Sequence, residues 1–257
     1  MAWNKFPYPD DAYRYPGAAL REHWQRLHRG DCEPFPDNAE VEDAWRSYHA
    51  GDFGRAVDDG LACGVAGYNV ANKAAVVYAG YLETDDERKR TLLGEVAQRC
   101  EEQQQKTPFD ANAWYLHAFA LGRYSQSISV AKALAQGLGG KIKHSLTQAL
   151  ELVPLHADAR VALGAYHAEV IDKVGALVGG ITYGARKDTG VELFAAALGL
   201  NPDSAITRIE YANALVLMFG KARMKDAEGL YQEAAACWPM DAMERLDVEA
   251  AKAEVAD

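Results

Sequence analysis

The sequence predicts an all-α fold made of stacked helix pairs. Similar segments recur along its second half, and successive copies end at Pro154, Pro202 and Pro239. Self-similarity of this kind is typical of helical repeat arrays. Apolar residues also recur three and four positions apart, as in the stripe formed by Ile142, Leu146 and Ala149. No stretch shows sustained period-two alternation, so we predict no sheet.

Composition excludes several classes of function. The chain has 257 residues, of which 49% are apolar, enough for a full core, and a formal net charge of −10. Because a phosphate backbone would be repelled, we expect no nucleic-acid partner. The four cysteines are far apart and form no C-x-x-C pair, which fits a reduced cytosol and argues against a disulfide framework or metal site. No run approaches the roughly 18 apolar residues of a membrane span. The start, residues 1–7, lacks an apolar signal region, so a cytoplasmic location is expected.

Residues 1–37 are predicted to form an N-terminal arm with a short helix. Five aromatic residues from Trp3 to Tyr15 alternate with prolines, which prevent a helix there. These aromatic side chains favour an extended arm lying on the helical body, and a free recognition tail is the alternative. A short helix is predicted from about Gly17 to Leu27. Residues 38–257 are predicted to form the helical repeat domain.

Helix boundaries can also be read from local signals. Thr84 and Glu87 have the spacing of a capping box, and Asp110 is placed to cap the next helix. The segment from Glu101 to Lys106 is polar on all sides, so we expect it to face water or fray. The charged, alanine-rich tail from Met240 predicts a closing helix with a frayed end.

The repeated segments resemble the tetratricopeptide repeat. In that family, small residues let two helices approach closely, and an aromatic residue fills the space beside them. Ala227, Tyr231, Ala234 and Pro239 match the second-helix pattern in full. The two preceding units match in part: Phe194, Ala197 and Pro202 with Gly190 in place of the first alanine, and Leu146, Ala149 and Pro154 with Ile142 in that place. Ala118, Gly164 and Ala212 are the first-helix small residues. The resemblance implies a right-handed superhelix of helix pairs.

Two consecutive units depart from that pattern by nearly equal insertions. Pro154 and Pro202 are 48 residues apart, whereas the usual period is about 34. The insertions, residues 124–140 and 170–184, are apolar and contain glycine. We expect ordered helical extensions packed on each other, because a disordered loop would be more polar. The pattern also resembles in shape the T component of TRAP solute transporters and the regulator-of-microtubule-dynamics proteins.

Local sequence indicates no catalytic or metal site. The glycine-rich segment Gly175–Gly180 lacks the lysine and hydroxyl residue of a phosphate loop and follows no strand. His167 and Glu169 are two positions apart and point to different faces of a helix. We therefore expect no enzyme activity, no cofactor and no metal.

The resemblance implies a binding surface on the first helices of the pairs, which line the inner groove in this family. The positions of these helices that would face the groove are Asn112, Tyr115, Phe119, Arg123, Val161, Ala165, Glu169, Ile209, Asn213 and Val216. Some of these residues could instead pack against the insertions or the arm. The predicted function is a cytoplasmic protein-interaction scaffold with a protein or peptide client. The alternative is a small-molecule or lipid binder, with a pocket closed by the apolar insertions.

Overall fold

A computed structural model describes residues 3–256, so Met1 and Ala2 of the predicted arm and Asp257 lie outside the described residues. The fold is all-α, as predicted, with no strand in residues 3–256. Within that range no helix has the length and apolar character required to cross a bilayer. The α-helices are α1 (Ala19–Leu27), α2 (Ala39–His49), α3 (Phe53–Ala62), α4 (Tyr68–Tyr81), α5 (Asp86–Lys106), α6 (Ala111–Gln126), α7 (Val130–Ala135), α8 (Leu138–Leu152), α9 (Ala157–Val174), α10 (Ala176–Val178), α11 (Lys187–Leu200), α12 (Ala205–Phe219), α13 (Met224–Ala235) and α14 (Ala242–Ala256).

Five helix pairs stack in chain order to form a repeat superhelix. The pairs are α2–α3, α4–α5, α6–α8, α9–α11 and α12–α13, and α14 follows the last pair. The close crossing of α9 and α11 shows why a small residue is needed in the first helix. A Cβ on Gly164 would lie 2.8 Å from the ring of Phe194, which is fully buried. The crossing therefore depends on a glycine and an aromatic residue, as the repeat pattern implies.

The two insertions form helical extensions of the third and fourth pairs. In the third pair α6 continues to Gln126 and is followed by α7. In the fourth, α9 continues to Val174, and α10 leads into a π-helical turn from Gly179 to Tyr183. The segments meet where Lys143 of α8 donates a hydrogen bond to the Tyr183 carbonyl at 2.8 Å. The predicted inserted helix ends are therefore confirmed.

The described part of the N-terminal arm lies on the helical body, as its aromatic residues predict. Phe6, Tyr13 and Tyr15 are buried in the same core as residues of the repeats. Trp3 packs edge-on against Tyr78 with ring centroids 4.5 Å apart. The Tyr15 hydroxyl donates to the carbonyl of Met240 at 2.6 Å. The arm and the repeats thus share one core, and the boundary at residues 37 and 38 stays a prediction.

Helix α14 crosses the inner face of the superhelix. It packs on α12 and α13 and also contacts α2 at the opposite end of the array. Asp241, just before α14, accepts a hydrogen bond from His49 Nδ1 at 2.8 Å. Asp247 of α14 accepts one from the Tyr81 hydroxyl. These bonds connect the last helix to the first two pairs and close the groove on one side.

Two local predictions about α5 are corrected by the structure. Its N-cap is Asp85, whose carboxylate accepts from the Arg88 amide at 2.7 Å, whereas Thr84 was predicted to have that role. Its polar end does not simply face water, because Gln103 is buried and donates to Asn69 at 2.7 Å. Asn69 of α4 is buried and therefore holds the last turns of α5, which the sequence alone predicts to be exposed to solvent.

Candidate functional site

The inner helices surround a cavity of about 260 Å³, which we call the central cavity. Its walls come from α4, α6, α9 and α12, which are first helices of their pairs, together with α7, α8 and α14. The insertions form one rim. Asp158, another lining residue, is held from outside the cavity, where its amide donates to the Gly30 carbonyl at 3.0 Å. The cavity is thus bordered in part by elements that an ordinary repeat array lacks.

One lobe of the central cavity is apolar and lies between α7, α8 and α9. Aliphatic side chains line it almost without interruption: Ile128, Leu134, Leu138, Ile142, Leu146, Val170 and Val174. Leu146 is fully buried, whereas Leu134 is about half exposed at the rim. Such a surface gains free energy when an apolar molecule covers it, roughly 25 cal/mol per Å² removed from water.

The other lobe, which we call the polar end, contains paired charged groups. Arg123 donates to Glu210 of α12 at 2.8 Å, and its guanidinium lies 5.6 Å from the centroid of the Phe119 ring. Phe119 in turn stacks on Tyr115 with centroids 5.8 Å apart. Arg123 is therefore held in place by an ion pair and a cation–π contact.

Two carboxyl groups at the polar end have unusual electrostatics. Burial raises the pKa of Asp158 to about 7, although the positive charge of Lys73 opposes the change. Burial also raises the pKa of Asp247 well above its usual value, against the hydrogen bond from Tyr81. Both groups can thus be protonated under conditions in which an exposed carboxyl is ionised. The charged residues of the cavity lining are thus two cations, Arg123 and Lys173, and four carboxyl groups, Asp158, Glu169, Glu210 and Asp247.

Six of the ten residues predicted for binding line the central cavity. They are Tyr115, Phe119, Arg123, Val161, Ala165 and Glu169, all on α6 and α9. They come together because α6 and α9 are the adjacent inner helices of the two units that carry insertions.

The other four predicted residues lie elsewhere. Asn112 is buried in the contact with the arm, where its amide donates to Glu33 at 2.6 Å. Ile209 packs on the cluster formed with α14, which covers this part of the groove. Asn213 is exposed and accepts from the Tyr231 hydroxyl at 2.5 Å, and Val216 is half-buried outside the cavity lining.

Sequence reasoning identified one acidic residue of the cavity, Glu169, and missed three others, Asp158, Glu210 and Asp247. Asp158 lies one helical turn before Val161, so the same face of α9 could have indicated it. Glu210 likewise follows Ile206, another lining residue, by one turn of α12. Asp247 had no such signal, because only the fold shows that α14 crosses the groove.

A second group of buried polar residues anchors the arm. Lys73 Nζ lies 2.5 Å from Asp31, and His28 Nδ1 lies 3.0 Å from the same carboxylate. Burial lowers the pKa of His28 to about 4, although Asp31 opposes the change. Glu33 accepts from Asn69 at 3.0 Å. These groups pair with one another, although His28 Nε2 is buried without a hydrogen-bond partner, and we assign them a structural role.

Among residues 3–256 there is no group of three or more histidine, cysteine or carboxylate side chains that could hold a metal ion. The lining of the central cavity thus combines an apolar lobe with a polar end that carries carboxyl groups.

Comparison with known proteins supports the fold. No protein family matches the sequence, and no curated protein does so either. Among solved structures, a thermophilic tetratricopeptide-repeat protein of Thermus thermophilus matches with a TM-score of 0.58 and 14% sequence identity. The match covers 84% of this chain and 98% of that one. The chain thus has a tetratricopeptide-like fold, as predicted, whereas the finer resemblances to the TRAP component and the microtubule regulators stay predictions.

Proposed function

We propose that this protein binds an apolar small molecule in the central cavity. The observation that carries the proposal is that the two insertions and α14 border this cavity and that aliphatic side chains line most of it. Helical repeat proteins commonly bind other proteins along an open inner groove. Here α14 occupies part of that surface, and a mainly apolar cavity remains. The volume, about 260 Å³, is close to the lower end of the roughly 300–1,000 Å³ of small-molecule sites.

The charges at the polar end favour a ligand that donates hydrogen bonds. Arg123 is already paired with Glu210, so its charge is compensated. Asp158 and Asp247 add further carboxyl oxygens at the same end. An alcohol or an amine can donate to these oxygens, and a carboxylate is repelled once Asp158 is ionised, above about pH 7. The proposed ligand therefore has an apolar body and a hydroxyl or amino end.

Displacement of a fluorescent dye tests the proposal. The neutral dye N-phenylnaphthylamine should bind the purified full chain and brighten, and decanol or decylamine should displace it. At pH 8, where Asp158 is ionised, decanoate, with the same chain length and a carboxylate end, should displace it at least about tenfold less well.

A cavity-filling variant shows whether the dye reports the central cavity. Ala165 lines the cavity, so Ala165→Trp should abolish dye binding. Ala196 is exposed on α11, so Ala196→Trp should bind as the wild type does and is the matched control. A wild-type chain that does not bind the dye, or an Ala165→Trp chain that binds it normally, would refute the proposal.

A protein-interaction scaffold is the second candidate. It is supported by the tetratricopeptide-like fold and by exposed apolar side chains in two successive turns between pairs, Phe109 and Leu155. Under this function a protein or peptide client would bind outside the filled groove. Either function would be a binding role without catalysis, and we retain the cytoplasmic location expected from the sequence. Crosslinking in the native host should then recover a client protein with the wild-type chain. The variant that combines Phe109→Ser with Leu155→Ser should not recover it.

A further inference from the structure

Apolar side chains are unusually exposed at the tips of the two insertions. Leu177 is 77% exposed and Ile181 is 80% exposed, and Val178 and Leu134 are each about half exposed. Of the twelve large hydrophobic residues that are exposed in residues 3–256, five lie in these two short segments. Concentrated exposed apolar surface of this kind marks an interaction site.

The second insertion presents its apolar residues as one protruding face. Leu177 and Ile181 are four residues apart in a helical segment and therefore lie on the same side. Gly175 and Gly184 border the segment, with φ of +81° and +66°, values that favour glycine. These two glycines let the chain leave α9 and return to α11 within a few residues.

The two tips lie on one rim of the central cavity. Leu134 of the first insertion and Val174 and Tyr183 of the second all line that cavity. Gly139 faces the Tyr183 ring, to which an added Cβ would be 3.3 Å distant. The tips therefore form a single surface, which we call the insertion rim, defined as residues 130–141 and 174–186.

The charge of the insertion rim is opposite to that of the molecule. The rim contains three lysine and arginine residues and no acidic ones, whereas the chain has a net charge of −10. Lys143, Lys173 and Lys187 lie just outside it, as do Asp172 and Asp188. Some of these cations have local partners: Lys173 pairs with Asp172 at 2.6 Å, and Lys187 donates to the Met218 carbonyl. Three others, Lys132, Lys141 and Arg186, are exposed.

We propose that the insertion rim docks on the surface of an anionic lipid bilayer. Exposed aliphatic side chains beside lysine and arginine are the combination that enters the interface of such membranes. Leu177 and Ile181 enter the boundary between headgroups and acyl chains, while Lys132, Lys141 and Arg186 contact lipid phosphates. The docked protein presents the rim of the central cavity to the membrane. This inference does not depend on the proposed ligand.

Vesicle flotation with the full chain tests the inference. We expect the protein to float with vesicles of phosphatidylcholine and phosphatidylserine, and not with vesicles of phosphatidylcholine alone. Leu177→Ser combined with Ile181→Ser should weaken binding by about tenfold or more. Charge reversal at Lys132, Lys141 and Arg186 should weaken it by roughly fivefold or more for each positive charge removed.

Matched controls separate docking from general effects. Phe109→Ser combined with Leu155→Ser removes exposed apolar surface elsewhere, and Lys5→Glu combined with Lys225→Glu changes exposed charge elsewhere. Both control proteins should float as the wild type does. Circular dichroism should show the same helix content in all variants, because the changed residues are exposed.

Two outcomes would overturn the inference. One is a wild-type chain that floats with neither kind of vesicle. The partner of the insertion rim would then be an acidic protein and not a membrane. The other is a Leu177→Ser, Ile181→Ser chain that floats normally. The same double variant should still bind N-phenylnaphthylamine in solution, so failure of docking and failure of the proposed ligand binding are distinguishable.

Discussion

At the scale of single residues, the fold depends on a few close contacts that the repeat pattern predicts. Gly164 and Phe194 are the clearest pair, since any side chain on the glycine would collide with the ring. Phe194 also stacks on Tyr211 with centroids 5.0 Å apart, which joins the fourth pair to the fifth. One buried aromatic residue thus holds a crossing within a pair and a contact between pairs.

Replacing Phe194 by alanine should destabilise the protein by about 3–5 kcal/mol, because it leaves a cavity in a buried core. Urea denaturation followed by circular dichroism measures the change in the free energy of unfolding. Phe109→Ala is the control, since Phe109 is 85% exposed, and it should change stability by less than about 0.5 kcal/mol. A similarly small effect at Phe194 would place it outside the core.

Asp158 should make binding of an amine depend on pH. Its pKa is raised to about 7 by burial, so the carboxyl is neutral below that pH and negative above it. Decylamine stays positively charged throughout, since alkylammonium groups titrate near ~10.4. Its affinity in the dye assay should therefore rise as pH increases from about 6 to about 8, while that of decanol stays nearly constant.

The Asp158→Asn variant is the control for this pH effect. The amide cannot ionise, so the affinity for decylamine should lose most of its rise with pH. An unchanged pH profile in Asp158→Asn would show that another group is responsible.

At the scale of helices, the sequence predicts where helices lie better than it predicts the contacts between them. The stripe on α8, the Asp110 cap and the extended ends of α6 and α9 follow from spacing and local chemistry. The prediction that Thr84 caps α5 was wrong because the adjacent Asp85 takes the same role. The prediction that residues 101–106 of α5 face water was wrong because the partner of Gln103, Asn69, belongs to another helix. Long-range polar contacts leave no periodic signal in a sequence.

The contact of Asp241 with His49 should be one of the bonds that hold α14 in the groove. Asp241 accepts from His49 and also from the Glu244 amide at 2.8 Å, so it caps α14 as well. Asp241→Ala should destabilise the protein by about 1–3 kcal/mol, since it leaves a buried donor without a partner.

Asp241→Asn is the matched variant for this test, because asparagine is an equally good helix cap. It should be measurably more stable than Asp241→Ala in urea denaturation. Equal stability of Asp241→Ala and the wild type would mean that α14 is held by apolar packing alone.

At the scale of the whole molecule, the sequence predicted that the helix pairs stack into a superhelix. It did not predict that α14 crosses the inner groove of that superhelix. Repeats and insertions together indicate stacked pairs with one modified rim. The tail was expected to form a closing helix with a frayed end, but nothing in the sequence indicated that Leu246 and Val248 would be buried or that Asp247 would accept from Tyr81. Six of the ten candidate residues line the central cavity because α6 and α9 are neighbours, four lie outside it, and a binding role for any of them stays a prediction.

Calorimetry of decanol binding is the most direct test of the claim that this closed superhelix holds an apolar ligand. Titration into the wild-type chain at two temperatures should give one site for each chain and a negative heat-capacity change, the mark of buried apolar surface. Ala165→Trp should give no binding heat, and Ala196→Trp should match the wild type. No saturable heat with the wild type, or equal heat with Ala165→Trp, would contradict the account.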